Sequence, residues 1–208
     1  MFAFTRVLVR GLIALAAVLL LAHCASTQVE ARWSDPAIAG KPLGGKVMVV
    51  GVARDEAVRR LYEDEMAARL AQRGVEPIRS YEHVPAPLLQ DGSTAILNAA
   101  KQAGAAFVLS SAVVGRMTEQ QVITDPLPTW GLYYDRWYGH YWGLTYTRTE
   151  VRSFERLFAN TTLTETGERK ILWSVRTRTD SPAAVEQEVK AFAKLIVGEL
   201  VRTGLLRE

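Results

Sequence analysis

The residues able to do acid–base, nucleophilic or metal chemistry are few and scattered. Beyond residue 24 the chain has two histidines, His83 and His140, and its one cysteine is Cys24. A zinc centre takes three or four Cys, His or carboxylate ligands, and neither a His-x-His nor a His-x-x-x-His pair occurs, so no metal is expected. Ser110-Ser111 fall in a run that reads as a buried strand, and no Gly-x-Ser-x-Gly elbow presents a serine nucleophile. Glu63-Asp64-Glu65 offers three carboxylates, but consecutive helical residues diverge around the axis, so they read as a solvated charged face. His83, beside Val84-Pro85-Ala86-Pro87, reads as a surface residue. Gly40-(x4)-Gly45-Lys46 imitates a phosphate-binding loop until Val47, where Ser or Thr should stand. Such a loop follows a strand and opens a helix, whereas here a strand comes next, so the nucleotide reading fails. No catalytic residue and no cofactor is expected, and the chain is read as a non-enzyme.

One segment stands out by residue type. Trp130, Tyr133, Tyr134, Trp137, Tyr138, Tyr141, Trp142 and Tyr146 crowd into 17 positions, eight of the eighteen aromatic residues in the chain. They alternate with Gly131, Gly139, Gly143, Asp135, Arg136 and His140 and show no clean helical or strand period. Tyr and Trp join an apolar body to a polar tip, which suits protein interfaces, glycan stacking and membrane headgroups. Trp130, Tyr133, Tyr134, Trp137, Tyr138, Tyr141 and Trp142 are therefore the candidate partner-binding residues. An equally good account makes the segment a cover for an open sheet edge or exposed core. Nucleic acid is a poor ligand for it, since only Arg136 and Arg148 accompany the rings. Two of the 25 basic residues, Arg6 and Arg10, precede residue 24 and all 22 acidic residues follow it, so residues 25–208 carry a net charge of only +1. That excludes a dedicated nucleic-acid binder, which needs a clustered basic excess.

Arg6 and Arg10 lead an unbroken apolar run, Gly11 to Ala22, that ends at His23-Cys24-Ala25-Ser26. A basic start followed by a short apolar core is the export-signal pattern, and the run is too short to span a bilayer comfortably. A simple cleaved signal fits, as does an uncleaved anchor if Phe2–Val9 is added to the run. Leu21-Ala22-His23-Cys24 also resembles the Leu-Ala-Gly-Cys of a bacterial lipobox, with His23 as its departure from the pattern. That resemblance implies acylation of Cys24, which becomes the new amino terminus. Each buried methylene of the acyl chains contributes about 0.8 kcal/mol, so several chains hold a protein on a membrane almost permanently. Ala25, rather than Asp, resembles the outer-membrane sorting class, which places the chain on the periplasmic face of the envelope. The Ser-, Thr-, Pro- and Gly-containing residues 25–45 read as a flexible tether.

Residues 46–208 read as one α/β domain carrying an aromatic-rich insertion at 125–147. Val47-Met48-Val49-Val50-Gly51-Val52 suits a central strand buried on both faces. Asp55 caps the next helix, whose apolar stripe is Val58, Leu61, Tyr62, Met66 and Leu70, with Arg59, Arg60, Glu63, Asp64, Arg69 and Arg73 on the solvated side. A strand over Val75–Tyr81, a short helix from Ser93 or Thr94 to Gly104, and a strand over Ala105–Val114 with Ile123 as its far limit come next. Glu150–Thr164 and Arg169–Asp180 are strands around a turn, and Ser181-Pro182 opens a last helix with Val185, Val189, Phe192, Ile196 and Leu200 on its buried face. The order β-α-β-α-β-β-β-α, with right-handed crossovers, gives a three-layer α/β/α domain. Its mixed five-stranded sheet has strand order 2-1-3-4-5.

Taken with Arg60-Leu61-Tyr62-Glu63-Asp64, Gly74-Val75-Glu76-Pro77, Gly104-Ala105-Ala106-Phe107-Val108-Leu109 and Thr166-Gly167-(x5)-Trp173-Ser174, the central strand resembles bacterial envelope lipoproteins. Similar α/β modules form the amino-terminal domain of the Tol translocation protein, the curli-secretion lipoprotein and the lipoprotein activators of penicillin-binding proteins. The resemblance implies an anticodon-binding-like topology and supplies no catalytic residue. The expected role is a non-catalytic, lipid-anchored periplasmic domain that binds a partner protein or assembles in an envelope complex. The competing expectation is a glycan- or small-molecule-binding protein, weakly enzymatic, that builds a cleft from Asp135, His140 and the aromatic segment.

Overall fold

Val47 to Val50 are fully buried, as an apolar β-branched run demands when both faces of a strand are covered. A computed structural model describes residues 27–85, 93–126, 147–180, 182 and 184–207. Its strands are β1 (Thr27–Ser34), β2 (Lys46–Val52), β3 (Glu76–Arg79), β4 (Ala105–Pro126), β5 (Thr147–Glu165) and β6 (Ile171–Asp180). The helices are α1 (Glu56–Ala71), α2 (Ser93–Gln102) and α3 (Val185–Arg202). One mixed sheet runs in the order β1-β6-β5-β4-β2-β3. β2 is parallel to β3 and β4, while β4, β5, β6 and β1 form an antiparallel meander.

The five strands expected from the sequence keep their expected neighbours, and the sheet is corrected from five strands to six. The sixth is β1, drawn from within residues 25–45, the span whose composition suggested a tether. A bulge between Val29 and Ala31 explains why its pattern is hard to read. Val29 packs on the core and Arg32 lies opposite buried Val175, while Trp33 turns outward and is half exposed. The polar residue thus takes the inner face and the largest apolar one the outer. Arg32 reaches α3 through a fork on Glu199, Nε to Oε2 at 2.7 Å and Nη2 to Oε1 at 3.0 Å. Those bonds hold the Glu199 carboxyl below its ordinary value, with help from Arg202 and against desolvation.

Helices α1 and α3 cover one face of the sheet. Tyr62, Met66, Leu70, Ala193, Ile196 and Leu200 meet Val47, Val49, Leu109, Leu163, Trp173 and Val175 there. On the other face Ile96, Leu97 and Ala100 of α2 pack on Met48, Val50 and Val108. Asp55 caps α1 as expected, accepting from the amides of Ala57 (2.8 Å) and Val58 (3.4 Å). The last helix departs from expectation. It begins at Val185, and Ala184 at its cap makes no side-chain bond, so Ser181-Pro182 precedes the helix rather than opening it. The carboxyl end is stitched to residues 40–43 by Gly40 N to Thr203 O (3.2 Å) and Leu43 N to Leu205 O (2.9 Å). A side chain at Gly204 would place its Cβ 2.7 Å from the Gly40 Cα, so only glycine permits this crossing.

Candidate functional site

The charged residues of α1 are not all solvated, and this corrects the sequence reading. Arg59 is 1% exposed and Glu63 0%, because α1 turns them onto the same face as Met66 and Leu70. Glu63 Oε1 accepts from Gly51 N (3.0 Å), Arg59 Nε (3.0 Å) and Ser80 Oγ (2.7 Å), and Oε2 accepts from Tyr81 N (2.9 Å). Arg59 Nη2 donates to Ser80 Oγ (2.9 Å) and Val84 O (2.8 Å), and Nη1 to Glu56 Oε2 (3.5 Å). The cluster thus ties the first turns of α1 to the end of β2 and to the turn after β3. Each of those bonds is made to the chain itself, which is how buried charges are normally accommodated. The cluster is a buried structural tie, with Arg59, Glu63, Ser80 and Val84 all shielded from solvent. Gly51 makes it possible, since a Cβ there would lie 2.9 Å from the Tyr62 ring and 3.4 Å from Arg59 O.

Of the two serines named for their chemistry, Ser111 is buried and Ser110 half-buried. Tyr62 OH shares a 2.7 Å bond with Ser111 Oγ, which shares a 2.8 Å bond with Thr161 Oγ1. Burial pushes the Tyr62 phenol far above its ordinary value, so it stays protonated and neutral. Ser110 is bonded to Thr162 Oγ1 at 2.9 Å. Neither serine has a histidine partner among these bonds. Glu65 pairs with Arg69 at 2.6 Å and Asp64 with Arg79 at 2.6 Å, both in the usual manner of surface carboxylates. His83 is exposed, as expected. Among the described residues, no three His, Cys, Asp or Glu side chains gather as a metal site would require.

The feature that leaves the body of the domain is a two-stranded ribbon. β4 pairs with β2 only as far as Ala112, and β5 pairs with β6 only from Arg156 onward. Beyond those points β4 and β5 pair with each other alone, residue by residue, out to Pro126 opposite Thr147. The ribbon is longer than expected, because Arg116, Met117, Thr118 and Gln120 are all exposed and no alternation of buried and exposed residues announces a strand there. Its outer ends bracket residues 127–146. The aromatic candidates Trp130, Tyr133, Tyr134, Trp137, Tyr138, Tyr141 and Trp142, with Asp135 and His140, lie outside the described residues, as does Cys24. Among the described residues no helix is long and apolar enough to cross a membrane.

No family model matches the chain, and no curated protein matches it. Solved structures show a distant likeness. The PelC dodecamer from Paraburkholderia phytofirmans is similar at 14% identity and a TM-score of 0.44, over 88% of this chain and 99% of that one. Lipoprotein GNA1162 from Neisseria meningitidis is similar at 16% identity and a TM-score of 0.41, over 76% of this chain and 99% of that one. Likeness at this level assigns no activity to the chain.

Proposed function

We propose that the chain is a non-catalytic, lipid-anchored domain of the bacterial envelope that binds a partner protein through its aromatic segment. The observation that carries this reading is the placement of that segment. Eight aromatic residues fall between the paired outer ends of a ribbon that has left the core behind. A run meant only to cover its own sheet has little use for such an extension. Tyr and Trp supply large contact area at low entropic cost, which favours a protein partner. The buried polar groups of α1 and β4 support a non-catalytic role, since they are spent on internal ties. Anchoring through acylated Cys24 follows from the signal-like residues 1–24.

The test replaces Trp137, Tyr138 and Trp142 with alanine in the full chain and crosslinks from the ribbon in living cells. The expected result is loss of a defined crosslinked partner with the thermal transition unchanged. An identical crosslinking pattern in the variant overturns the assignment of partner binding to this segment. Titration with cell-wall fragments, followed by tryptophan fluorescence, is expected to give no saturable change, and saturation would favour glycan binding.

A further inference from the structure

The pairing register fixes where the anchor leaves the domain relative to the ribbon. Thr27, the first residue of β1, lies opposite Thr179, and their hydroxyls are bonded at 2.8 Å. Thr179 lies opposite Leu157, and Leu157 opposite Arg116. These four residues form one row across β1, β6, β5 and β4. Adjacent strands are about 4.8 Å apart, so Thr27 and Arg116 are separated by about 14 Å. β1 is antiparallel to β6, β6 to β5 and β5 to β4, so the chain preceding Thr27 leaves the row in the direction in which β4 advances.

The two extensions differ greatly in reach. Cys24 is three residues before Thr27, a span of at most about 11 Å. The ribbon continues ten residues past the row, from Arg116 to Pro126, which is about 34 Å at the rise of a strand. A ribbon standing upright on the sheet would therefore overshoot the anchor by about 20 Å. Crossing the hydrocarbon is a poor solution for it. The outer edges of β4 beyond Ala112 and of β5 before Arg156 carry backbone groups that pair with no strand of this sheet, and such groups have no partners in lipid. The ribbon also bears the Arg116–Glu155 ion pair, at 3.0 Å.

The exposed apolar side chains point the same way. Seven large ones are exposed among the described residues. Five of them, Val52, Val113, Val114, Met117 and Val185, stand at this end of the domain: at the end of β2, at the root of the ribbon and at the start of α3. We infer that this end of the domain rests on the bilayer that holds the anchor, with the β4–β5 ribbon lying along the lipid headgroups rather than projecting away from the membrane. The inference rests on acylation of Cys24. It puts the turn at Thr166–Glu168 and the carboxyl terminus on the side away from the membrane.

Acylation leaves the natural chain no free thiol, so single cysteines can be introduced and labelled. Met117→Cys and Val114→Cys probe the ribbon root, and Glu168→Cys probes the opposite end. The acylated full chain is placed in phosphatidylethanolamine–phosphatidylglycerol vesicles containing nitroxide-headgroup lipid, and quenching of the attached fluorophore is read. Quenching several-fold stronger at 117 and 114 than at 168 is expected. Equal, weak quenching at all three positions in a protein whose mass carries the acyl groups overturns the orientation and leaves the anchor standing. Disulfide-linked dimers through position 117 without quenching also overturn it, and assign the ribbon to a second copy. An unmodified mass at Cys24 removes the premise, and the anchor and the orientation fail together.

Discussion

Glu63→Ala removes a carboxylate that accepts four hydrogen bonds and leaves Arg59, which is 1% exposed, without its closest counter-charge. Breaking a buried ion pair by deleting one partner typically costs 3–5 kcal/mol, roughly, because the remaining charge stays desolvated. The amides of Gly51 and Tyr81 lose their acceptor too, so the upper part of that range, about 5 kcal/mol, is expected here. For a domain of this size each 1 kcal/mol moves the thermal midpoint by about 2–4 °C, which predicts a fall of about 10–20 °C. The assay is urea unfolding followed by tryptophan emission, with the slope compared between variants to keep the denatured state constant. The double variant Arg59→Met/Glu63→Leu supplies the contrast. It removes both charges, and its loss is expected to be well below that of Glu63→Ala. A Glu63→Ala protein within about 1 kcal/mol of wild type would refute the description of the cluster as sealed.

Gly51→Ala is expected to destabilise by about 1–3 kcal/mol, because the new methyl meets the Tyr62 ring at 2.9 Å and overpacks the α1–β2 contact; urea titration measures it. Glu199 gives a pH signature. Its folded carboxyl is held below its ordinary value chiefly by the Arg32 bond, so the stability it adds is present above about pH 4.3 and is lost as the pH falls through the lowered native value. The gap in thermal midpoint between wild type and Glu199→Gln should therefore be largest near neutrality and close below about pH 4, as calorimetry across that range would show.

Much of the fold can be read from the chain because its signals are redundant. Val47–Val52 is apolar on both faces, Asp55 stands where a cap is needed, and the Ala105–Leu109 run marks the next central strand, so each neighbour relation within the parallel part follows. Harder segments share one physical trait, which is that side-chain polarity misreports burial. In α1 the residues Arg59, Glu63, Met66 and Leu70 are spaced four, three and four apart, the signature of one helical face. The charges suggested solvent, yet their spacing marks them as buried and mutually paired. In β1 the bulge after Val29 puts Arg32 on the α3 side and Trp33 on the other, and along the outer ribbon Arg116, Met117, Thr118 and Gln120 are all exposed. Of the candidate site, the aromatic residues are legible by type and crowding, whereas the long β4–β5 ribbon whose strands precede and follow them in the chain is known only from strand pairing.

The short path from Cys24 to β1 has a mechanical corollary. Under the proposed acylation of Cys24, a pull on that end would load β1 along its own axis, so its ladder with β6 would resist in shear, with many backbone bonds sharing the strain at once instead of opening one after another. The Arg32–Glu199 fork joins β1 to α3, so on that anchoring the edge strand would serve as the strain-relief of a leash.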